Sequence, residues 1–308
     1  MQAPDHYSVL LKESVDALVQ RPNGFYIDGT FGRGGHSREI LSRLAPNGHL
    51  LGLDKDPEAI SVAETLAQTD ARFRYQHASF ARFPEFLGAE LPLDGVLLDL
   101  GVSSPQLDEA RRGFSFMKDG PLDMRMDSSS GQTAEQWLAS VDENTMTRVF
   151  RDFGEERFAR RIARTIVEQR ARESICSTGQ LARLIEAAVP VKDKFKHPAT
   201  RVFQAIRIEI NQELQELQQA LQQALRCLAP GGRLVVISFH SLEDRMVKRF
   251  MKQFAKSQDY PAGLPVTHDK LLAPLTIVGK AIQASAEEVD ANVRSRSAVM
   301  RVAERTAN

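Results

Sequence analysis

Three short apolar runs in the first hundred residues each close on an aspartate: Phe25–Asp28, His49–Asp54 and Asp94–Asp99. Runs of this length, bounded by turn residues, read as strands. Segments of helical period follow the first two. Ile40, Leu41 and Leu44 mark one helix, and Ile60, Ala63 and Leu66 mark another, with Pro57 suited to its first turn. Arg72–His77 alternates as a further strand, and Phe80–Leu87 reads as a short helical piece. Strands alternating with helices call for a parallel sheet covered on both faces, with ligands bound beyond the carboxyl ends of its strands. Asp28, Asp54 and Asp99 are therefore expected on one rim.

The turn after the first strand runs Asp28-Gly29-Thr30-Phe31-Gly32-Arg33-Gly34-Gly35-His36-Ser37. Glycines permit positive φ and a close backbone approach to a ligand, and the helix that follows offers unpaired N–H groups. The dinucleotide fingerprint is not met, because counting from Gly32 its third glycine falls on Ser37. Asp28 would also repel a pyrophosphate, whereas a carboxylate suits the ammonium of a methionine-like cofactor. The loop thus favours S-adenosylmethionine over a nicotinamide dinucleotide. Asp54 lies roughly 20 residues further on, the separation expected of a ribose-binding carboxylate. Capping of the next helix is its bland alternative. Phe80 reads either as a stacking partner for adenine or as a core phenylalanine.

Beyond Asp99 the rhythm breaks. Gly101–Ser130 is rich in glycine, serine and proline, and Ala134–Val189 is helical in pattern without a strand-like run. Apolar spacing from Val202 to Leu228 marks one long amphipathic helix ending at Pro230-Gly231-Gly232. A fifth strand over Arg233–Phe239, a helix over Leu242–Phe254, and an antiparallel pair from Leu275–Ala281 and Ser297–Ala303 complete the chain. The pattern predicts an α/β sheet domain, residues 1–111 and 198–308, interrupted by a helical insertion over 112–197. A leading amphipathic helix is expected within His6–Val19.

Formal net charge is zero, so contact with nucleic acid must come from local basic patches. Arg148–Arg172 carries eight arginines against four acids, and Lys192–His197 adds lysines around Phe195. That mixture suits phosphate contacts and base stacking, although solvated helix faces with Glu–Arg pairs also produce it. Cys176 and Cys227 lack metal-ligand spacing, so neither a metal nor a disulfide is expected. With no membrane span and no signal-peptide layout, a cytoplasmic protein is expected.

Two further stretches carry polar groups at strand ends. Asp99-Leu100-Gly101-Val102-Ser103-Ser104-Pro105-Gln106 stands where amine methyltransferases often carry Asn/Asp-Pro-Pro-Tyr/Phe, but only Ser104-Pro105-Gln106 is present. Methylating a ring-conjugated amine needs an acceptor for its N–H and good alignment rather than a strong base. Asp99, Ser104 and Gln106 are candidates, with a plain serine-rich turn as the rival. In Ser238-Phe239-His240-Ser241-Leu242-Glu243-Asp244, Ser241 and Asp244 read as a helix cap, with His240 free to meet substrate.

With these residues in view, the chain closely resembles the bacterial ribosomal RNA small subunit methyltransferase H family, also called MraW. The resemblance rests on DGTFGRGGHS (Asp28–Ser37), LDKDPEAI (Leu53–Ile60) and DGVLLDLGVSSPQLD (Asp94–Asp108). It continues through RGFSFMKDGPLDMRMD (Arg112–Asp127), FGEERFARRIA (Phe153–Ala163), PVKDKFKHPATRVFQAIRI (Pro190–Ile208) and APGGRLVVISFHSLEDRMVKRF (Ala229–Phe250). The resemblance implies a class I S-adenosylmethionine-dependent, Rossmann-like fold with an inserted helical RNA-recognition domain. It implies methylation of N4 of cytidine 1402 in the decoding region of 16S rRNA, expected within the small ribosomal subunit. Family cofactor contacts carry over to Gly34, Gly35, His36, Asp54, Phe80, Asp99 and Gln106. No catalytic base is implied, and the oligomeric state stays open. The rivals are an RNA-binding assembly factor that keeps the cofactor as a structural ligand, and a nicotinamide oxidoreductase, which Asp28 and Ser37 disfavour.

Overall fold

The computed structural model describes residues 8–88, 92–191, 197–256 and 273–307. They divide into two compact units, 1–101 with 214–308 and 102–213. The first unit opens with α1 (Leu11–Leu18), β1 (Phe25–Asp28), α2 (Gly35–Arg43), β2 (His49–Asp54), α3 (Pro57–Thr69), β3 (Phe73–His77), a 3₁₀ turn at Phe80–Phe86 and β4 (Leu93–Asp99). The second holds α4 (Ser104–Asp108), α5 (Ala134–Ser140), α6 (Glu143–Asp152), α7 (Ala159–Arg170), α8 (Thr178–Ala188) and α9 (Ala199–Asn211). The chain then returns through α10 (Glu213–Cys227), β5 (Leu228–Ser238), α11 (Ser241–Phe254), β6 (Leu275–Ile277), β7 (Ile282–Gln283), α12 (Ala286–Ala291) and β8 (Val299–Arg305).

The sheet order is β3-β2-β1-β4-β5-β8-β6, with β7 also paired to β8. β3 to β5 run parallel, and β8 is antiparallel to both β5 and β6. The mostly parallel order, with one strand inserted antiparallel, makes the sheet Rossmann-like. Its strands are apolar throughout because both faces are covered. Phe25 and Ile27 of β1 pack with Leu217 and Leu221 of α10 and Val247 of α11. Tyr26 faces the other way, among Leu18 of α1, Ile40 of α2 and Ala63 of α3. Because β2, β1 and β4 are neighbours, their carboxyl ends bring Asp54, Asp28 and Asp99 to adjacent strand termini, as the sequence leads one to expect.

The fifth strand begins earlier than its composition suggests. Leu228 already pairs with Leu93, and the pairing shifts before resuming at Gly95–Arg233. Pro230-Gly231 is thus an irregularity within β5, with Gly231 at φ 78°, and does not end a helix. In the closing pair, Leu275 stands opposite Arg305.

The second unit is helical, and its core gathers Leu122, Trp137, Phe150, Ile162, Leu181 and Ile206. Val202 and Phe203 of α9 join that core. The units therefore divide at 101/102 and 213/214, rather than at 111/112 and 197/198. The long helix expected over Val202–Leu228 is two helices. Asn211 Nδ2 donates to Met124 O (2.8 Å) and Arg207 O (2.9 Å), and Asn211 Oδ1 accepts from Met126 N (2.7 Å). Gln212 then turns left-handed at φ 53°. The apolar stripe continues across this break, so periodicity alone joins the two pieces. Residues 1–7 and Lys192–Lys196 of the second basic cluster lie outside the described residues.

Candidate active site

The glycine loop is stitched to the strands on either side of β1. Gly29 N donates to Leu97 O and Phe31 N to Leu53 O, both at 2.9 Å, and Asp99 N donates to Thr30 Oγ1 at 2.7 Å. Gly34 caps α2 at φ 75°, and a Cβ there would lie 2.7 Å from the Phe31 ring. At Gly35 a Cβ would fall 2.0 Å from Ser8 Oγ. The first position requires glycine for its backbone angle, and at Gly35 the Ser8 side chain would have to turn away to admit a Cβ.

Asp28 is fully buried. Its Oδ1 accepts from Thr30 N (3.2 Å) and its Oδ2 from Ser37 Oγ (2.6 Å). Burial pushes its carboxyl up to about 6, with the Asp54 charge adding to the rise. Asp28 is thus closed off by Thr30 and Ser37, which corrects the simple picture of it as direct partner of a cationic ligand. Asp54 Oδ2 accepts from Gly32 N (2.7 Å) and Oδ1 from Asp56 N (2.9 Å), and burial raises its carboxyl as well. Phe80 is half-buried at the start of its 3₁₀ turn, against the core on one side and Gly29 on the other.

His36 is 4% exposed, with Nε2 3.2 Å from Val9 O and Nδ1 3.6 Å from Asp99 Oδ2. Burial lowers the imidazole to about 4, so it is neutral near pH 7. Asp99 is held well above the usual carboxylate range by burial first, then by Asp28 and Glu243. Its Oδ1 is buried without a hydrogen-bond partner. Among the described residues neither Asp28 nor Asp54 makes an ion pair. A rim of carboxylates this poor in countercharge suits a ligand that brings positive charge with it.

The cap of α11 differs from the sequence expectation. His240 is the N-cap and Glu243 closes the box, while Asp244 pairs with Arg301 of β8 at 2.7 Å. Glu243 is 2% exposed, and its Oε2 accepts from Phe239 N (2.9 Å) and His240 N (3.3 Å). His240 Nε2 stands 3.1 Å from Glu243 Oε1 but off the hydrogen-bonding direction. Sequence reasoning missed Glu243, whose signal was its place three residues after His240.

Gly34, Gly35, His36, Asp54, Phe80, Asp99 and His240 thus all belong to the first unit. Ser104 and Gln106 belong to the second, in the first turn of α4. There Gln106 Oε1 accepts from Ser103 N (2.9 Å), and Ser103 Oγ accepts from Gln106 N (3.4 Å), a reciprocal capping box.

A family model described as the MraW methylase family matches residues 3–306. The chain belongs to this family. It is therefore a methyltransferase. Solved structures similar to this MraW-family methylase include an rRNA methylase from Streptococcus thermophilus, 8% identical over 96% of this chain and 93% of that one, with a TM-score of 0.43. A precorrin-6y C5,15-methyltransferase from Geobacter metallireducens is 10% identical over 99% and 93%, also at 0.43. The N-methyltransferase NodS from Bradyrhizobium japonicum is 12% identical over 96% and 92%, at 0.38. Likeness of that order assigns no residue of the MraW-family chain a role. Among its described residues, no helix is long and apolar enough to cross a membrane.

Proposed function

We propose that this MraW-family methylase transfers the methyl group of S-adenosylmethionine to the exocyclic N4 of cytidine 1402 in the decoding region of 16S rRNA. The observation that carries the reading is the family match over residues 3–306, which spans both units. The donor rim is consistent with it: the buried, unpartnered Asp99 Oδ1 and the uncompensated acids fit a ligand bearing an ammonium and a sulfonium. When bound, S-adenosylmethionine supplies an electrophilic methyl group. Asp54 accepts from the ribose hydroxyls, Phe80 lies along the adenine, and Gly34 and Gly35 let the backbone approach. Asp99, backed by His36, takes the methionine end.

For the acceptor, alignment matters more than basicity, since the amine lone pair is delocalised into the ring until the N–H groups are held out of plane. Asp99 and His240 are the side chains of the first unit proposed to accept from that amine. A base in a duplex would have to be unstacked to reach them. The 102–213 unit is the RNA-holding part, through its exposed arginines, and the cytoplasm, where small ribosomal subunits are found, is the setting. Calorimetry with S-adenosylhomocysteine and with NAD tests the donor assignment. Binding of the first alone supports it, and tight NAD binding overturns it.

A further inference from the structure

We infer that Glu288 is a positioning residue for this site: it anchors the Ser8–Leu10 segment, whose Val9 carbonyl fixes the His36 tautomer and so turns a bare Nδ1 toward Asp99. Leu10 is buried and left-handed, φ 51° and ψ 36°, a conformation that leucine adopts only when its surroundings impose it. The imposing contact is the hydrogen bond from Leu10 N to Glu288 Oε1 at 2.7 Å, reaching from the N-terminal segment to α12. The same segment lies against Gly35, at the start of α2.

Val9 O can only accept, so His36 Nε2 must carry the hydrogen across their 3.2 Å contact. In a neutral imidazole the lone pair is then on Nδ1, 3.6 Å from Asp99 Oδ2. Two lone pairs facing each other at that distance would repel if Asp99 were ionised. The groups that face Asp99 are His36 from α2, Asp28 from β1 and Glu243 from α11, and none is positive while His36 is neutral. Ionisation of Asp99 is therefore disfavoured in the ligand-free site, and a cationic group arriving beside it favours release of its proton. The release step rests on the proposed donor binding at Asp99, whereas the tautomer assignment does not.

Nitrogen-15 NMR of the histidine rings in the full-length, ligand-free protein tests the assignment, with the His36 signals identified by their loss in His36→Asn. In the wild type, Nε2 is expected to be the protonated nitrogen and Nδ1 the bare one. Glu288→Ala should mix the tautomers, and Glu288→Gln, whose amide oxygen still accepts from Leu10 N, should restore the single form. Calorimetry of S-adenosylhomocysteine in two buffers of different ionisation enthalpy should then show proton release by the wild type and by Glu288→Gln, and less by Glu288→Ala. A protonated Nδ1 in the wild type, or a Glu288→Ala spectrum identical to it, overturns the inference. Absence of ligand binding with the expected spectra would count against the donor assignment alone.

Discussion

Ser37 Oγ donates to Asp28 Oδ2 at 2.6 Å, and neither side chain reaches solvent. The serine that takes the place of a third fingerprint glycine is thus a partner for the strand-end acid. A carboxyl raised from 3.8 to about 6 binds its proton more tightly in the folded state than in the unfolded one. Its stabilising contribution is complete below the unfolded value and is lost as pH climbs through about 6, a change of about 3 kcal/mol. Asp28→Asn lacks this titration. Denaturant unfolding at pH 4 and pH 7 should show the wild type losing about 2–3 kcal/mol relative to Asp28→Asn over that interval. Parallel pH profiles would mean that Asp28 is ionised throughout.

Asp54 and Asp99 end the two strands that flank β1 but are expected to answer mutation differently. A ribose contact is equally present in ground and transition states, so Asp54→Asn should raise the cofactor KM with little change in kcat. Losing one charged hydrogen bond is worth about 1.5–3 kcal/mol, or roughly tenfold to a hundredfold. Asp99→Asn should instead lower kcat by a similar factor at saturating cofactor. Since Asp99 must ionise to hold a cation, wild-type cofactor affinity should also climb with pH and become flat in Asp99→Asn. Steady-state kinetics over a pH series separates the two. Normal turnover of Asp99→Asn at saturation would pass the acceptor role to His240.

The sheet, its acid rim and the glycine turn were legible because their signals are local. A strand buried on both faces must be apolar, and its end is marked by the acid that follows. What stayed hidden depends on partners distant in sequence. Nothing near Leu10 indicates that Glu288 will hold its backbone, and nothing near Asn211 says that Met124 and Met126 will claim its amide. The α11 cap was misread for a closer reason: Ser241 and His240 are both plausible caps, and only the buried Glu243 decides between them. Phe80 and Asp54 could be weighed against core packing and capping only with the family resemblance in hand.

Asn211 offers a test of the break between α9 and α10. Asn211→Leu keeps the apolar stripe but leaves Met126 N and Met124 O without partners, at a cost of about 1–3 kcal/mol for each buried group left unsatisfied. Gln212→Gly relieves a left-handed residue and should be neutral or stabilising by up to about 1 kcal/mol. Urea unfolding should show Asn211→Leu destabilised and Gln212→Gly not, and a stabilised Asn211→Leu would mean the single long helix is accessible after all.

The arginines of the second unit are not equivalent. Arg170 is structural, donating to Leu138 O and Val141 O, and Arg164 pairs with Glu168 at 2.8 Å. Arg148, Arg160, Arg161 and Arg172 are exposed and make no ion pair among the described residues. Replacing Arg160, Arg161 and Arg172 by alanine should weaken RNA binding and reduce its salt slope by roughly one per lost phosphate contact. The change should leave S-adenosylhomocysteine affinity as it was. An unchanged slope would make these arginines a solvated face.

The most direct measurement is methyl transfer from labelled S-adenosylmethionine to small ribosomal subunits and to free 16S rRNA, each prepared without prior methylation, followed by nucleoside analysis of the product. The expected result is N4-methylcytidine, mapped to position 1402 in the decoding region and formed more slowly on replacement of Asp99 by asparagine. A methyl group on a ribose, on another base or at another site, or cofactor binding with no transfer to either substrate, would contradict it.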